Sequence, residues 1–324
     1  MRLRSVVVAL LALVLAGCGG THSPSVGSAD NRKPDVPVGA APVGLAAGPD
    51  GDLWVVNTGD NTVNRIPPGA TKPDLTVGVA GIPLRVAVGY DAVWVTSFEG
   101  NEVVRIDEAT GKVTDHIDVG RGAEGVTAAF GSVWVVAQDA GRLVRIDPQH
   151  RRVTKRIDVG TGVRLVVAGN DALWLNDYPA GDVVRVDPRH GTVRRSGHVC
   201  AGPQDMVTTS RQVWVTCSLG NEVVVLDPAT LRVVEHHPLA GTPDAIADGP
   251  DGTLLVVLQD GPTLATLDPA NGLATKKTRL GKEPQLYDRA NLDLAVVGDV
   301  AWVSSFRENV VHRIRAAAPP GRRR

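Results

Sequence analysis

Apolar residues come in short bursts along this chain, separated by Gly, Asn, Asp, Pro and Thr. The stretch from Gly120 to Gly160, GRGAEGVTAAFGSVWVVAQDAGRLVRIDPQHRRVTKRIDVG, holds four of them: EGVTAA, SVWVVA, RLVRID and VTKRIDVG. Val and Ile dominate, turn residues intervene about every ten positions, and no segment keeps a helical period, so the bursts predict short antiparallel strands. The same unit recurs. Trp54, Trp94, Trp134, Trp174 and Trp214 follow one another at steps of 40 residues, Leu255 takes the next place one residue late, and Trp302 takes the seventh; all 6 tryptophans occupy this position.

Four strands per unit, seven times over, predict an all-β seven-bladed β-propeller of four-stranded antiparallel blades. Asn61, Asn101, Gly141, Gly181, Asn221, Pro262 and Asn309, seven residues after each Trp place, mark the turn between second and third strands. Asp107, Asp147, Asp187, Asp227 and Asp268 end the third strands and read as staples of the next turn. The seventh unit runs LAVVG, VAWVSS, VVHRI and then out into RAAAPPGRRR, so it lacks a fourth strand. DVPVG at 35–39 stands before the first Trp as HIDVG and RIDVG stand before theirs. The N-terminal strand is therefore expected to complete the last blade and close the ring, giving a propeller over 35–315 and a basic tail over 316–324.

The repeat pattern GxxxVWVxxxxxNxVxRIDPxTxxVxxxIxVG resembles the YVTN/NHL-type repeats of bacterial propellers, including the streptogramin B lyase-like group. That resemblance implies the fold strongly and the function weakly, since propellers host many unrelated activities. The lyases of that group work with histidine and glutamate around a divalent metal at the channel mouth. Here His150 and His190 fall in turns on the opposite face, and His116, His198, His236 and His237 on outer strands. The resemblance therefore does not carry the lyase constellation over, and no catalytic residue, metal or cofactor is assigned.

The chain opens MRLRSVVVALLALVLAGCGG, a charged start, a short apolar run and small residues, which describe a secretory signal over 1–17. Leu15-Ala16-Gly17-Cys18 resembles the lipobox of bacterial lipoproteins, which implies cleavage before Cys18 and its acylation with palmitate-type chains. The following Pro/Gly/Ser-rich segment to residue 34 reads as a flexible tether. These features predict a lipid-anchored protein on the extracytoplasmic face of the cell membrane. With 34 basic and 35 acidic residues the net charge is −1, which argues against nucleic acid as a partner. Cys200 and Cys217 fall at strand ends of adjoining blades facing one side, and a disulfide is favoured over two buried thiols in such a compartment.

Loops that lead into the first strands share a face with the turns between second and third strands, and this mouth is the expected binding face. It collects Arg85, Glu124, Arg164, Asp205 and Asp244 from first strands, and Phe98, Asp177, Tyr178 and Phe306 from the turns. Tyr287 joins them from a loop between blades 6 and 7 that is about seven residues longer than its counterparts. Aromatics ringed by charges suit a protein or cell-envelope partner held by a monomeric scaffold or sensor module. The alternative is a small molecule, or a lyase-like substrate, in the central channel. A channel plugged by Val and Ala favours the first, an open funnel with converging charges the second.

Overall fold

The computed structural model describes residues 31–270, 273–282 and 292–316. Cys18, Tyr287 and the basic tail beyond Ala316 lie outside them. Seven four-stranded antiparallel sheets form, six of them in chain order. Blade 1 is Pro42–Ala47, Leu53–Asn57, Thr62–Ile66 and Leu75–Gly78, and blades 2 to 6 repeat it. Blade 7 takes Leu294–Val297, Val300–Ser305 and Val310–Arg315 from the end of the chain and Arg32–Pro37 from its beginning. The ring is thus closed by the N-terminal strand. That strand begins three residues before the expected boundary, because Arg32 and Lys33 pair with Ile314 and Arg313 across a bulge. His312, buried in the third strand, lies 3.1 Å from Asp35 of the closing strand and 3.0 Å from Glu308.

The tryptophans explain why the unit repeats. Trp54 is packed with Val86, Val93 and Val95 of blade 2, Trp94 with Ala123, Val133 and Val135 of blade 3, and Trp302 with Leu45, Leu53 and Val55 of blade 1. Each indole therefore fills the space between its own blade and the next. Burying one contributes roughly 4–6 kcal/mol by area, before conformational entropy is charged against it. A second recurring residue orients them. Arg65, Arg105, Arg145, Arg185 and Arg313, on third strands, lie 5.2–5.9 Å over Trp54, Trp94, Trp134, Trp174 and Trp302. Such a contact is worth about 1 kcal/mol, so blade-to-blade packing holds the ring and the guanidinium sets the ring plane. Blade 5 has Val225 at this place, and His237 of its outer strand stacks on Trp214 instead, at 5.5 Å.

The third-strand aspartates are turn staples. Asp107 accepts from the Thr110 backbone and hydroxyl at 2.8 and 2.6 Å, and Asp147, Asp187, Asp227 and Asp268 repeat the device. For Asp107, Asp147, Asp187 and Asp227 these hydrogen bonds hold the carboxyl below its usual range.

Candidate functional site at the channel and its mouth

Inner strands line the channel, and most carry a bulge near its mouth. A bulge leaves backbone N–H groups outside the ladder, and these need partners. Second-strand side chains supply some of them. Thr96, Asn176, Thr216 and Ser304, each two residues after its Trp, accept from the backbone N–H of Arg85, Leu165, Asp205 and Asp293 at 2.8–3.0 Å. Three channel carboxylates supply others, always on the next inner strand round the ring. Asp205 accepts from Ile246, Asp244 from Leu292, and Asp293 from Leu45, at 3.0, 2.6 and 2.8 Å. Gly125 belongs to the same arrangement, since a Cβ there would meet the Arg164 carbonyl at 2.6 Å.

Asp205 and Asp244 were expected at the mouth as binding charges. Their carboxylates instead stitch blade 5 to blade 6 and blade 6 to blade 7. Desolvation by the surrounding strands pushes Asp205 up to about 7 and Asp244 up to about 6. Asp293 is raised for the same reason, against the pull of Arg85 at 3.4 Å. Asp244 is sealed at 1% exposure, whereas Asp205 and Asp293 keep part of their surface on the channel. Arg85 also donates to the Val43 carbonyl at 2.8 Å. Together with Val126, Val166, Met206 and Ile246 these groups bound a cavity of about 390 Å³. The channel is neither plugged nor lined by charges alone.

At the rim, Glu124 of blade 3 is buried and accepts from Arg164 of blade 4 at 3.1 and 3.0 Å. The Arg164 guanidinium lies 5.6 Å over the Tyr178 ring, and the Tyr178 hydroxyl is 3.2 Å from the Ser218 hydroxyl of blade 5. Cys217, next to Ser218, is joined by a disulfide to Cys200. Gly202, at φ +64, closes the corner, where a Cβ would stand 2.9 Å from Leu219 and 3.1 Å from Tyr178. Asp177, at the start of the turn that holds Tyr178, is buried and ion-paired with Arg195 at 2.9 Å. Phe98 and Phe306 are half-buried, Phe306 against the cluster around Trp54.

The residue that sequence reasoning passed over is Leu219. It follows Ser218 in the turn between the second and third strands of blade 5 and is 66% exposed, the most open large apolar side chain among the described residues. A single Leu in SLGN gives no periodic signal, and only the folded rim shows that it stands beside Tyr178. Two histidines stand by turns of the mouth face, His198 at 3.3 Å from the Ala180 carbonyl and His312 at 3.0 Å from Glu308; four others do not. His150 and His190 brace the Asp147 and Asp187 turns, and His116 and His236 pair with Glu102 and Glu222. Among the described residues no three His, Cys, Asp or Glu side chains gather as a metal site.

No protein-family model matches the chain, and no curated protein is a significant match. Solved structures do match. A streptogramin B lyase superposes with a TM-score of 0.77 at 13% identity, over 89% of this chain and 99% of that one. The fold is a seven-bladed β-propeller of that type. A virginiamycin B lyase from Staphylococcus aureus gives 0.75 at 14% identity, over 88% and 99% of the two chains. Hydrazine synthase from Kuenenia stuttgartiensis gives 0.74 at 18%, over 93% and 99%. Proteins of such different names share the architecture, so at these identities it speaks for fold alone.

Proposed function

We propose that this propeller is a binding module: its mouth face engages a protein or another component of the cell envelope, and a lipid on Cys18 keeps it at the outer side of the membrane. The observation that carries the reading is Leu219, an exposed apolar side chain on a rim fixed from below by the Cys200–Cys217 disulfide and alongside by the Glu124–Arg164–Tyr178–Ser218 chain of contacts. An apolar anchor on a preorganised surface binds without an ordering cost, which is how compact interfaces gain affinity. The closing strand supports the orientation. Arg32 pairs with Ile314, at the end of Val310–Arg315 that lies away from the mouth. The disulfide agrees with an oxidising compartment.

Arg164 serves the rim through its buried partner and its ring contact, so an Arg164→Glu substitution would set two carboxylates together and report on folding. Leu219→Asp is the cleaner probe. Affinity purification of the full-length protein after mild cross-linking in its native envelope should recover a partner that Leu219→Asp loses with an unchanged melt; equal recovery by both forms would refute the mouth as the contact surface. Cys18→Ser should move the protein from the membrane to the soluble extracytoplasmic fraction, and retention in the membrane would refute the lipid anchor.

A second reading has its own support in the channel cavity. Asp205 and Asp293, carboxyls raised by burial that keep part of their surface on the channel near Arg85, are groups that can bind or exchange protons with a small molecule. It differs in its test, because Leu219→Asp would leave a channel ligand bound and Asp205→Asn would weaken it.

A further inference from the structure

The third-strand arginine is fully engaged in some blades. Arg65 is held by Asp74 at 2.9 Å, and Arg313 by the carbonyls of Pro34 and Ala70 at 2.7 and 3.0 Å. Blades 2, 3 and 4 differ: Arg185 of blade 4 has a buried Nε without a hydrogen bond, as Arg105 does, but does not line the groove formed by blades 2 and 3. Arg105 gives one Nη to Thr114 at 2.7 Å, but its Nε is buried and has no hydrogen-bond partner. Arg145 gives its Nε to Ser132 at 2.7 Å and makes no other side-chain hydrogen bond among the described residues. Asp115 stands 3.9 Å from Arg105 and 3.7 Å from Arg151, and its Oδ2 is buried without a hydrogen bond. Buried polar groups left without a hydrogen bond cost about 1–3 kcal/mol each. Arg105, Arg145 and Arg151 all line one groove of about 760 Å³ on the face opposite the mouth, with Tyr90, Asp91 and Gln149.

The lips of this groove carry a second, independent signal. Tyr90 lines it, and Phe130 directly precedes Gly131 of its wall. The two are 40% and 41% exposed. They hold the same place in the hairpins between first and second strands of adjoining blades, at φ 59° and 52°. Blade 4 has Asn170 there at φ 51°, the residue type that such a turn favours. A bulky aromatic in this left-handed conformation is locally disfavoured, and each residue keeps about two fifths of its surface exposed. Local preference given up twice, at neighbouring exposed positions, points to a use outside folding.

We infer that the groove between blades 2 and 3 binds an acidic oligosaccharide, a glycan carrying uronic-type carboxylates. The guanidiniums of Arg145 and the exposed Arg151, which line the groove, suit an anionic acceptor, and planar guanidiniums meet carboxylates with paired hydrogen bonds. Sugar hydroxyls both donate and accept, which suits Asp91 and Gln149 beside the arginines. The aliphatic faces of pyranose rings pack on exposed aromatic rings such as Tyr90 and Phe130. Asp147 also lines the groove, but His150 and Gln149 already occupy both of its oxygens. This site is separate from the mouth and independent of the function proposed there.

Calorimetric titration of the full-length protein with tetragalacturonic acid tests the inference, with cellotetraose as the neutral sugar and tetraglutamate as the acidic peptide. Saturable binding of tetragalacturonic acid is expected, at least about tenfold tighter than cellotetraose, the equivalent of one charge-assisted hydrogen bond. Tyr90→Asn and Phe130→Asn place the favoured residue in each turn, so they should keep or raise the melting temperature while weakening binding several-fold. Arg151→Ala, at an exposed position, should weaken it as well, and Leu219→Asp should leave it unchanged. Absence of saturable binding overturns the site, as does binding that ignores Tyr90→Asn and Arg151→Ala. Equal affinity for tetraglutamate overturns the sugar and assigns the groove to an acidic peptide.

Discussion

Removing the Cys200–Cys217 bridge should lower the melting temperature by about 5 °C without changing the fold. The two cysteines are 17 residues apart in sequence, and the bridge joins the end of blade 4 to the second strand of blade 5. In the chain-entropy picture, closing a loop of that size removes roughly 10 cal/mol/K from the unfolded ensemble, or about 3 kcal/mol at room temperature. A propeller of about 280 residues unfolds with an entropy near 600 cal/mol/K, so that loss corresponds to about 5 °C. Both sulfurs are buried, and replacing them by Ala adds a small packing loss in the same direction. Differential scanning calorimetry of three samples separates the contributions: oxidised protein, protein reduced before heating, and Cys200→Ala with Cys217→Ala. The reduced form should lie a few degrees below the oxidised one, with the double variant at or slightly below it. If all three melt together, the bridge does not restrain the unfolded chain as supposed, and its part in fixing the rim beneath Leu219 falls with it.

Two further outcomes follow from the ring. Deleting residues 31–37 uncovers the edge of Val310–Arg315, exposes the buried site of Val36 and takes Asp35 from His312, so the melt should fall sharply and broaden; an unchanged melt would contradict closure by the N-terminal strand. Asp205 and Asp244 ionise near 3.8 when unfolded and are raised to about 7 and about 6 when folded, so the folded state holds more protons between those values. Stability to urea should therefore fall as pH rises from about 4 to about 7, and Asp205→Asn should flatten the profile; a wild-type profile that rises over this window would refute the burial of these carboxyls.

Fold and site were legible to different degrees. Trp, the Asn or Gly turn and the Asp staple each recur at fixed spacing, and each has one physical job repeated in most blades, so blade number and closure could be read along the chain. The arginine over each Trp recurs just as openly in VVRID and RLVRID, but only the folded sheet shows that adjacent strands set the two side chains on one face. The channel charges were found by position and misjudged by role. Alignment places Asp205 and Asp244 at the inner strands, whereas the bulges that direct their oxygens to backbone N–H groups of the next blade leave no mark in the sequence. Asp293 escaped because the longer loop before it broke the 40-residue step. Leu219 escaped because exposure of one residue in a turn is a property of the rim and not of any period.

The central claim, that the mouth face binds a partner, is tested most directly by a photoreactive benzoylphenylalanine placed at Leu219 and, as the control, at Val234, which is 54% exposed on an outer strand. After irradiation in the native envelope, the account predicts a discrete adduct from position 219 and none from 234. The same adduct from both positions, or none from 219, would contradict it.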